Sequence, residues 1–390
     1  MKTVAVIFGG RSTEHDVSII TALGRVIKPL EMSGEYRVEA VYIAKDGSWY
    51  WGDELKDIKL FQSGRVQEFI DRSPKILLNL GNGLELIQSG NLARRTKRVK
   101  IDVVFPAMHG THGEDGELMG LLDMAGVPYV GCGVAASAIA MDKVLAKQVA
   151  ASQGLSCGEW VWFASDDLKQ NAEAVLDAIK PLQYPLFVKP AHMGSSIGIT
   201  RVTELGQLMD ALEVAAHYDD KVIVEEAVQN LVEVTLPIIG NASPVPAYLE
   251  QPLVAAGDFF DFEKKYMNGG KKGKSGAKGG GKAGAQGYSN IPADIPKDLY
   301  QTAEKLALDI YKVVGCSGTA RVDMLIDSKK KEVIFNEINP MPGDLYAHNW
   351  QRKGVSNVEL VKKLIGYAEE RFAAREKLQT SFSTSYLKQF

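Results

Sequence analysis

Cysteine is scarce in this chain: three among 390 residues. Cys132, Cys157 and Cys316 are far apart and odd in number, which excludes a disulfide framework and a zinc-knuckle spacing and fits a reducing compartment. Long apolar runs are missing as well. None reaches the roughly 18 residues that a membrane-spanning helix needs. An excess of one charge is also lacking, with 45 basic against 48 acidic residues and a net charge of −3. That balance argues against nucleic acid or an anionic membrane as the main partner. The opening MKTVAVIFGG has no cationic region, long apolar core or small-residue cleavage site, so a cytoplasmic location is expected.

What is present reads as several domains of mixed type. Val4–Phe8 is a continuous apolar run, expected as a buried parallel strand. Gly9-Gly10 turns the chain, and Ser12 or Thr13 is placed to cap a helix near Val17–Ile27. Strands are expected at Val38–Ile43, Val103–Ala107 and Val127–Val130, with a helix at Glu117–Met124. Together they predict an open, mostly parallel α/β sheet over residues 1–143. Residues 45–100 mix short strands with polar turns. A second, α+β unit is expected at 144–215, with a helix at Val144–Gln153, strands at Trp160–Phe163 and Leu186–Lys189, and a helix at Leu205–Ala216. A third follows at 216–375, with strands at Lys221–Glu225, Arg321–Ile326 and Glu332–Glu337. Its helices are expected at Ile295–Val314 and Val358–Phe372, the latter capped by Ser356 or Asn357. A polar tail occupies 376–390.

Residues 269–288 depart from the rest in composition, with nine glycines and five lysines in 20 positions. Such a stretch cannot bury enough apolar surface to offset its chain entropy. It contains no Gly-x-x-x-x-Gly-Lys-Ser/Thr leading from a strand into a helix, which argues against a P-loop. A solvated insertion and a functional loop both fit the composition.

The densest chemistry lies in the two late strands. Glu337 and Asn339 are two apart and so share a sheet face, and in a hairpin Asp323 faces them. Two carboxylates and an amide oxygen suit Mg²⁺, or the similarly oxygen-seeking Mn²⁺. Lys143, Lys189 and Lys265 lie at element boundaries where ammonium groups can converge on a polyphosphate. Lys189 leads into Gly194-Ser195-Ser196-Ile197-Gly198, whose small residues let backbone N–H groups approach phosphate oxygens. After the strand at 222–224, Glu225, Glu226 and Val228 offer backbone groups to an adenine edge, and Glu233 an acceptor for ribose hydroxyls.

The order of these pieces resembles the ATP-grasp superfamily, and within it the D-alanine–D-alanine ligases. The matching stretches are Phe8–Ser18, His109-Gly110 with Gly113–Gly116, Met141-Asp142-Lys143, Val188-Lys189-Pro190 with Gly194–Gly198, Asp261–Tyr266, Arg321-Val322-Asp323, and Asn336–Asn339 with Pro342-Gly343. The resemblance implies a two-lobed ATP-grasp module behind an N-terminal α/β domain. It implies joining of two small amino acids through an acyl phosphate, with ATP as energy source, for peptidoglycan precursor synthesis. It implies that Glu14 holds the first substrate's ammonium in a triad with Ser195 and Tyr266, with His109 nearby. Lys143, Lys189, Lys265 and Ser196 would face ATP phosphates and Phe259 the adenine, while Arg321 and the Gly343 N–H would stabilise an oxyanion. The stretch 267–290 would be the lid. A homodimer is implied by the resemblance alone.

One segment departs from the family. Where a Thr/Ser-rich run usually follows Pro-Gly, this chain reads Asp344-Leu345-Tyr346-Ala347-His348, and His348 falls where the serine that receives the second substrate's carboxylate is expected. Asp344 would repel such a carboxylate unless it points away. D-alanine is expected at both sites, with D-lactate, D-serine or another small amino acid as alternatives at the second; an inactive ATP-binding homologue is the rival outside catalysis.

Overall fold

Strand β1 (Lys2–Gly9) is buried from Val4 to Phe8 because both its faces are covered. Successive side chains point to opposite sides. Val4, Val6 and Phe8 therefore enter one apolar core, and Ala5 and Ile7 another. β2 (Tyr36–Ile43) and, later in the chain, a strand at Val103–Pro106 flank β1 in parallel, while β3 (Trp49–Trp51) adds an antiparallel edge. The structure, a computed structural model, describes residues 1–90, 95–253, 289–379 and 383–389. Phe259, Lys265, Tyr266 and the expected lid as far as 288 lie outside the described residues.

The helix expected near Val17–Ile27 starts earlier and runs further. It comprises His15–Thr21, a π-helical stretch Ala22–Ile27, and Lys28–Ser33. Its N-cap is Glu14 rather than Ser12 or Thr13; Ser12 Oγ accepts the Glu14 N–H at 3.0 Å. The obscure 45–100 region forms a small antiparallel sheet of β4 (Ile76–Asn79), β5 (Leu84–Gln88) and β6 (Lys97–Ile101), preceded by short helices. Ile76, Leu84, Leu86, Val99 and Ile101 close the second core. The strand at Val103–Pro106 is β7. Val127–Val130 forms no strand, only a bridge from Tyr129 to Val104.

The central sheet has the order β10-β9-β11-β8 and is antiparallel, with β8 at Trp160–Ala164, β9 at Leu186–Pro190, β10 at Thr200–Val202 and β11 at Lys221–Glu226. Leu186 and Val188 pack beneath helices Ala172–Ile179 and Leu208–Tyr218. Alternation then sends Lys189 to the opposite face. The boundary expected between 215 and 216 falls ahead of an interior strand, because β11 lies hydrogen-bonded between β9 and β8.

The third sheet has the order β13-β12-β16-β17, all antiparallel, from β12 (Leu231–Gly240), β13 (Val245–Pro246), β16 (Gly318–Asp327) and β17 (Glu332–Asn339). Helix Lys297–Val313 covers one face with Leu306, Ile310 and Tyr311. Between β13 and β16, a pair formed by β14 (Gln251–Pro252) and β15 (Ser289–Asn290) brings together the chain on either side of 254–288. Two helices cross the expected domain limits. Ala146 and Ala150 of helix Lys143–Ser152 join the third sheet's core. Leu360, Val361, Leu364 and Ile365 of helix Asn357–Glu376 join the first unit's core. Ser356 caps the latter, accepting from the Glu359 N–H while Glu359 reaches back.

Candidate active site

The hairpin β16–β17 sets the site's geometry. Val322, Met324 and Ile326 enter the core, so Arg321 and Asp323 face the other way. On β17, Phe335 and Ile338 are both core residues although they are three apart. A bulge reconciles them. Asp323 pairs with Glu337 but Met324 with Phe335, leaving Asn336 as the extra residue. The phase of β17 flips there, and Glu337 and Asn339 emerge on the same side as Asp323. Asn339 Nδ2 donates to Asp323 Oδ2 at 3.1 Å, and Arg321 Nε donates to Asp323 Oδ1 at 2.7 Å. Arg321 is buried. Burial opposes its charge, but the neighbouring Asp323 outweighs this and holds the guanidinium's pKa well above its usual value.

A cavity opens on this face, between the hairpin, the first domain and the Gly194–Gly198 loop. Glu14, His109, Lys143, Ser195 and Gly343 border it together with Arg321, Glu337 and Asn339. Eight sequence-derived candidates therefore meet. Ser195 Oγ donates to Glu14 Oε1 at 2.5 Å across 181 positions of sequence. Ser195 and Ser196 both have positive φ, 55° and 60°, a conformation that costs an L-residue roughly 1–2 kcal/mol and is kept at sites that need it. Lys143 Nζ donates to the Met193 carbonyl at 2.8 Å and lies 3.4 Å from Glu337. His109 is buried, with Nε2 2.9 Å from Thr21 Oγ1. Burial works against its protonation, but the Glu114 carboxyl beside it raises the imidazole. Burial also raises Glu114.

Other candidates stand differently from expectation. Glu225 presents no free carboxylate to a nucleotide, since its side chain is enclosed between Lys189 and Lys147. Burial would raise it, yet these two ammonium groups hold it at about 2. The N–H groups of Glu226 and Ala227 donate to the carbonyls of Glu159 and Pro185, and the Glu226 carboxylate accepts from the Gln183 N–H. These groups are engaged within the protein. Val228 lies in the irregular chain just after β11, and Glu233 lies on β12 opposite Leu325. His348 is committed to Glu250, 2.9 Å away. Asp344 points away from the cavity into an ion pair with Arg25, removing the expected clash. Its N–H donates to Thr21 Oγ1 at 3.2 Å. Asp344, Leu345 and Tyr346 all have positive φ, between 48° and 57°. Tyr346 lies under Arg321, whose guanidinium is 5.1 Å from the ring centre.

Lys147, Glu114, Arg25 and His192 were not legible as site residues. Lys147 falls one turn after Lys143 on the same helix, and Glu114 lies within the Gly113–Gly116 stretch five residues from its partner His109, both weak signals; Arg25 and His192 carry none, because their partners lie far off in sequence.

The chain matches the family models described as D-ala D-ala ligase N-terminus over residues 3–132 and D-ala D-ala ligase C-terminus over residues 149–366. It is 35% identical over 386 residues to the D-alanine–D-alanine ligase of Acetivibrio thermocellus, covering 95% of this chain and 96% of that protein. To that of Chlorobium limicola it is 37% identical over 377 residues, covering 95% and 97%. Its fold is similar to that of the VanG D-Ala:D-Ser ligase from Enterococcus faecalis, with a TM-score of 0.76, 31% identity, and 94% and 99% of the two chains covered. With both halves of the chain matched in order and ligases of one kind spanning nearly its whole length, the protein belongs to the D-alanine–D-alanine ligase family, ATP-dependent enzymes of the ATP-grasp fold.

Proposed function

We propose that this chain joins two D-alanine molecules for peptidoglycan precursor synthesis, using ATP. The observation that carries the reading is the meeting of Glu14 from the first domain with Ser195 from the phosphate loop, in the cavity that Arg321 and Gly343 also border. A carboxylate is a poor electrophile and must first be given a leaving group. A carboxylate oxygen of the first D-alanine attacks the γ-phosphorus, the bond to the β–γ bridging oxygen breaks, and ADP leaves. The second amine attacks the acyl carbon, the carbon–oxygen bond to phosphate breaks, and the amine loses a proton as phosphate departs.

In this reading Glu14, held by Ser195, takes the first ammonium. Lys143 and Lys189 face the triphosphate, with Glu225 holding Lys189 in place. The Arg321 guanidinium and the Gly343 N–H meet the oxyanion of the tetrahedral intermediate. Preorganised donors of this kind are each worth about 2.7–4 kcal/mol in other enzymes. Asp323, Glu337 and Asn339 put hard oxygen donors on one face of a hairpin, a set that fits Mg²⁺ or Mn²⁺. Such an ion, when bound, neutralises phosphate charge. A cytoplasmic homodimer belongs to the same reading. Among the described residues no helix is long and apolar enough to cross a membrane.

The altered Asp344–His348 segment and the likeness to a D-Ala:D-Ser ligase favour D-serine as the second acceptor to test. Phosphate release is measured with ATP, Mg²⁺ and D-alanine, and the product is weighed. Release with D-alanyl-D-alanine as product is expected. Release only when D-serine or D-lactate is added moves the assignment to that acceptor, and none with any acceptor overturns the ligase reading.

A further inference from the structure

His192 stands two residues before Gly194 and borders the same cavity as Lys143 and Ser195. Its Nδ1 lies 2.8 Å from Asp219 Oδ1 and its Nε2 3.3 Å from Asp142 Oδ2. Both carboxylates are nearly dry, with side chains 5% and 3% exposed. An imidazole with an ionised carboxylate at each nitrogen donates from both, so the ring is an imidazolium. Both its donors are then engaged, and it has no N–H to offer a phosphate. Its task lies in what it joins.

Asp142 Oδ1 caps helix Lys143–Ser152, accepting the N–H groups of Val144 at 2.9 Å and Leu145 at 3.0 Å. Asp142 Oδ2 also pairs with Lys221. Asp219 accepts the backbone N–H of His192 at 2.6 Å and that of Lys221 at 3.2 Å. The same three segments share backbone bonds: the Lys143 N–H reaches the Ala191 carbonyl at 3.1 Å, and the Ala191 N–H the Lys221 carbonyl at 3.0 Å. One cation thus sits where the helix bearing Lys143, the Gly194–Gly198 loop and the start of β11 converge. The loop beyond it carries two consecutive residues at positive φ, a state that persists only when its surroundings enforce it.

We propose that His192 is a positioning residue for the ATP phosphates: clamped between Asp142 and Asp219, it holds the Gly194–Gly198 loop in register with Lys143, so that both address the same phosphate oxygens. The proposal rests on the ligase reading only for the identity of the nucleotide. The charged groups facing the ring are Asp142, Asp219 and, at 3.9 Å, Asp220, with Lys221 beyond Asp142. Hydrogen bonds to Asp142 and Asp219, against the effect of burial, raise the imidazolium's pKa to about 9, so the clamp holds through neutral pH and opens above that value.

The test compares the wild-type enzyme with His192→Asn and His192→Arg, the latter able to span two carboxylates. ADP release is followed against ATP and against D-alanine, and binding of a non-hydrolysable ATP analogue with Mg²⁺ is followed by calorimetry. For His192→Asn, KM for ATP and the analogue's Kd should rise about 10- to 100-fold, the scale of a lost charged hydrogen bond, while KM for D-alanine stays within about twofold. His192→Arg should recover most of the nucleotide affinity. In the wild type, Kd should weaken above about pH 9, and in His192→Arg this weakening should vanish. Unchanged nucleotide affinity in His192→Asn, or equal losses for both substrates, overturns the proposal. Should His192→Asn not fold, Asp219→Asn, which keeps the backbone acceptor and removes one arm's charge, is judged by the same split. A wild-type chain that binds the analogue but releases no ADP with any acceptor sinks the ligase reading and leaves the binding arm to decide on His192. A wild-type chain that binds no nucleotide overturns both.

Discussion

Glu225 is enclosed between Lys147 and Lys189, and Lys147 completes its own shell with the carbonyls of Cys157 and Phe335 at 3.0 and 3.1 Å. Removing one ammonium from such a site leaves a buried charge short of a partner, which costs about 3–5 kcal/mol. Lys147→Met should therefore lower the unfolding free energy by about that amount, read from urea denaturation at pH 7. A loss under about 1 kcal/mol would match a surface pair and refute the arrangement. The pH dependence has a definite sign. Glu225 is depressed from an ordinary 4.5 to about 2, so its stabilisation is complete above the unfolded value and is lost as pH falls from there through about 2. Lys147→Met should flatten that acid limb.

At the scale of elements, the bulge at Asn336 decides whether β17 carries a site. A strand alternates without exception, so a regular β17 with Phe335 in the core would send Glu337 inward with it. The extra residue reverses the phase, as a one-residue shift must. Deleting Asn336 places Phe335 directly before Glu337, so a regular strand should keep Phe335 and Ile338 in the core and Glu337 and Asn339 beside Asp323. Turnover, read as ADP release with D-alanine, should therefore survive. Loss of turnover in a variant that still folds would mean that Asn336 itself, rather than the strand's phase, serves the site. Glu337, Asn339 and Asp323 were legible as neighbours from spacing alone, because hairpin register is local. The bulge was not legible, since it answers the demands of the core on the strand's other side.

The whole molecule is held together by contacts that no segment announces. Helix Asn357–Glu376 returns to the first unit, and Arg371 donates to the carbonyls of Gly131 and Tyr129 and to Ser317 Oγ, its guanidinium 4.4 Å from the Tyr129 ring centre. It thereby ties the first unit to the start of β16. Gly318, at φ +72°, packs so closely there that a Cβ would meet the Gly131 nitrogen at 2.9 Å. Arg371→Ala should lower stability by about 1.5–3 kcal/mol, the scale of a hydrogen bond to a charged group. Thermal unfolding with and without ATP analogue checks it, and an unchanged midpoint would show that Arg371 adds nothing to the junction.

Sequence alone determined what is contiguous: the buried strand Val4–Phe8, the turn glycines, the lysines at element ends, the Gly194–Gly198 loop, and the ordered motifs that place the chain in its family. Local steric and periodic rules act over a few residues, so their traces survive in linear order. Tertiary structure decided the rest. It enclosed Glu225 between two lysines, turned Asp344 toward Arg25 and His348 toward Glu250, set His192 between two aspartates, and carried β11 into the central sheet past the expected boundary. Those outcomes depend on which charges are buried together and which apolar faces must be covered, and residues distant in the chain meet only when it folds.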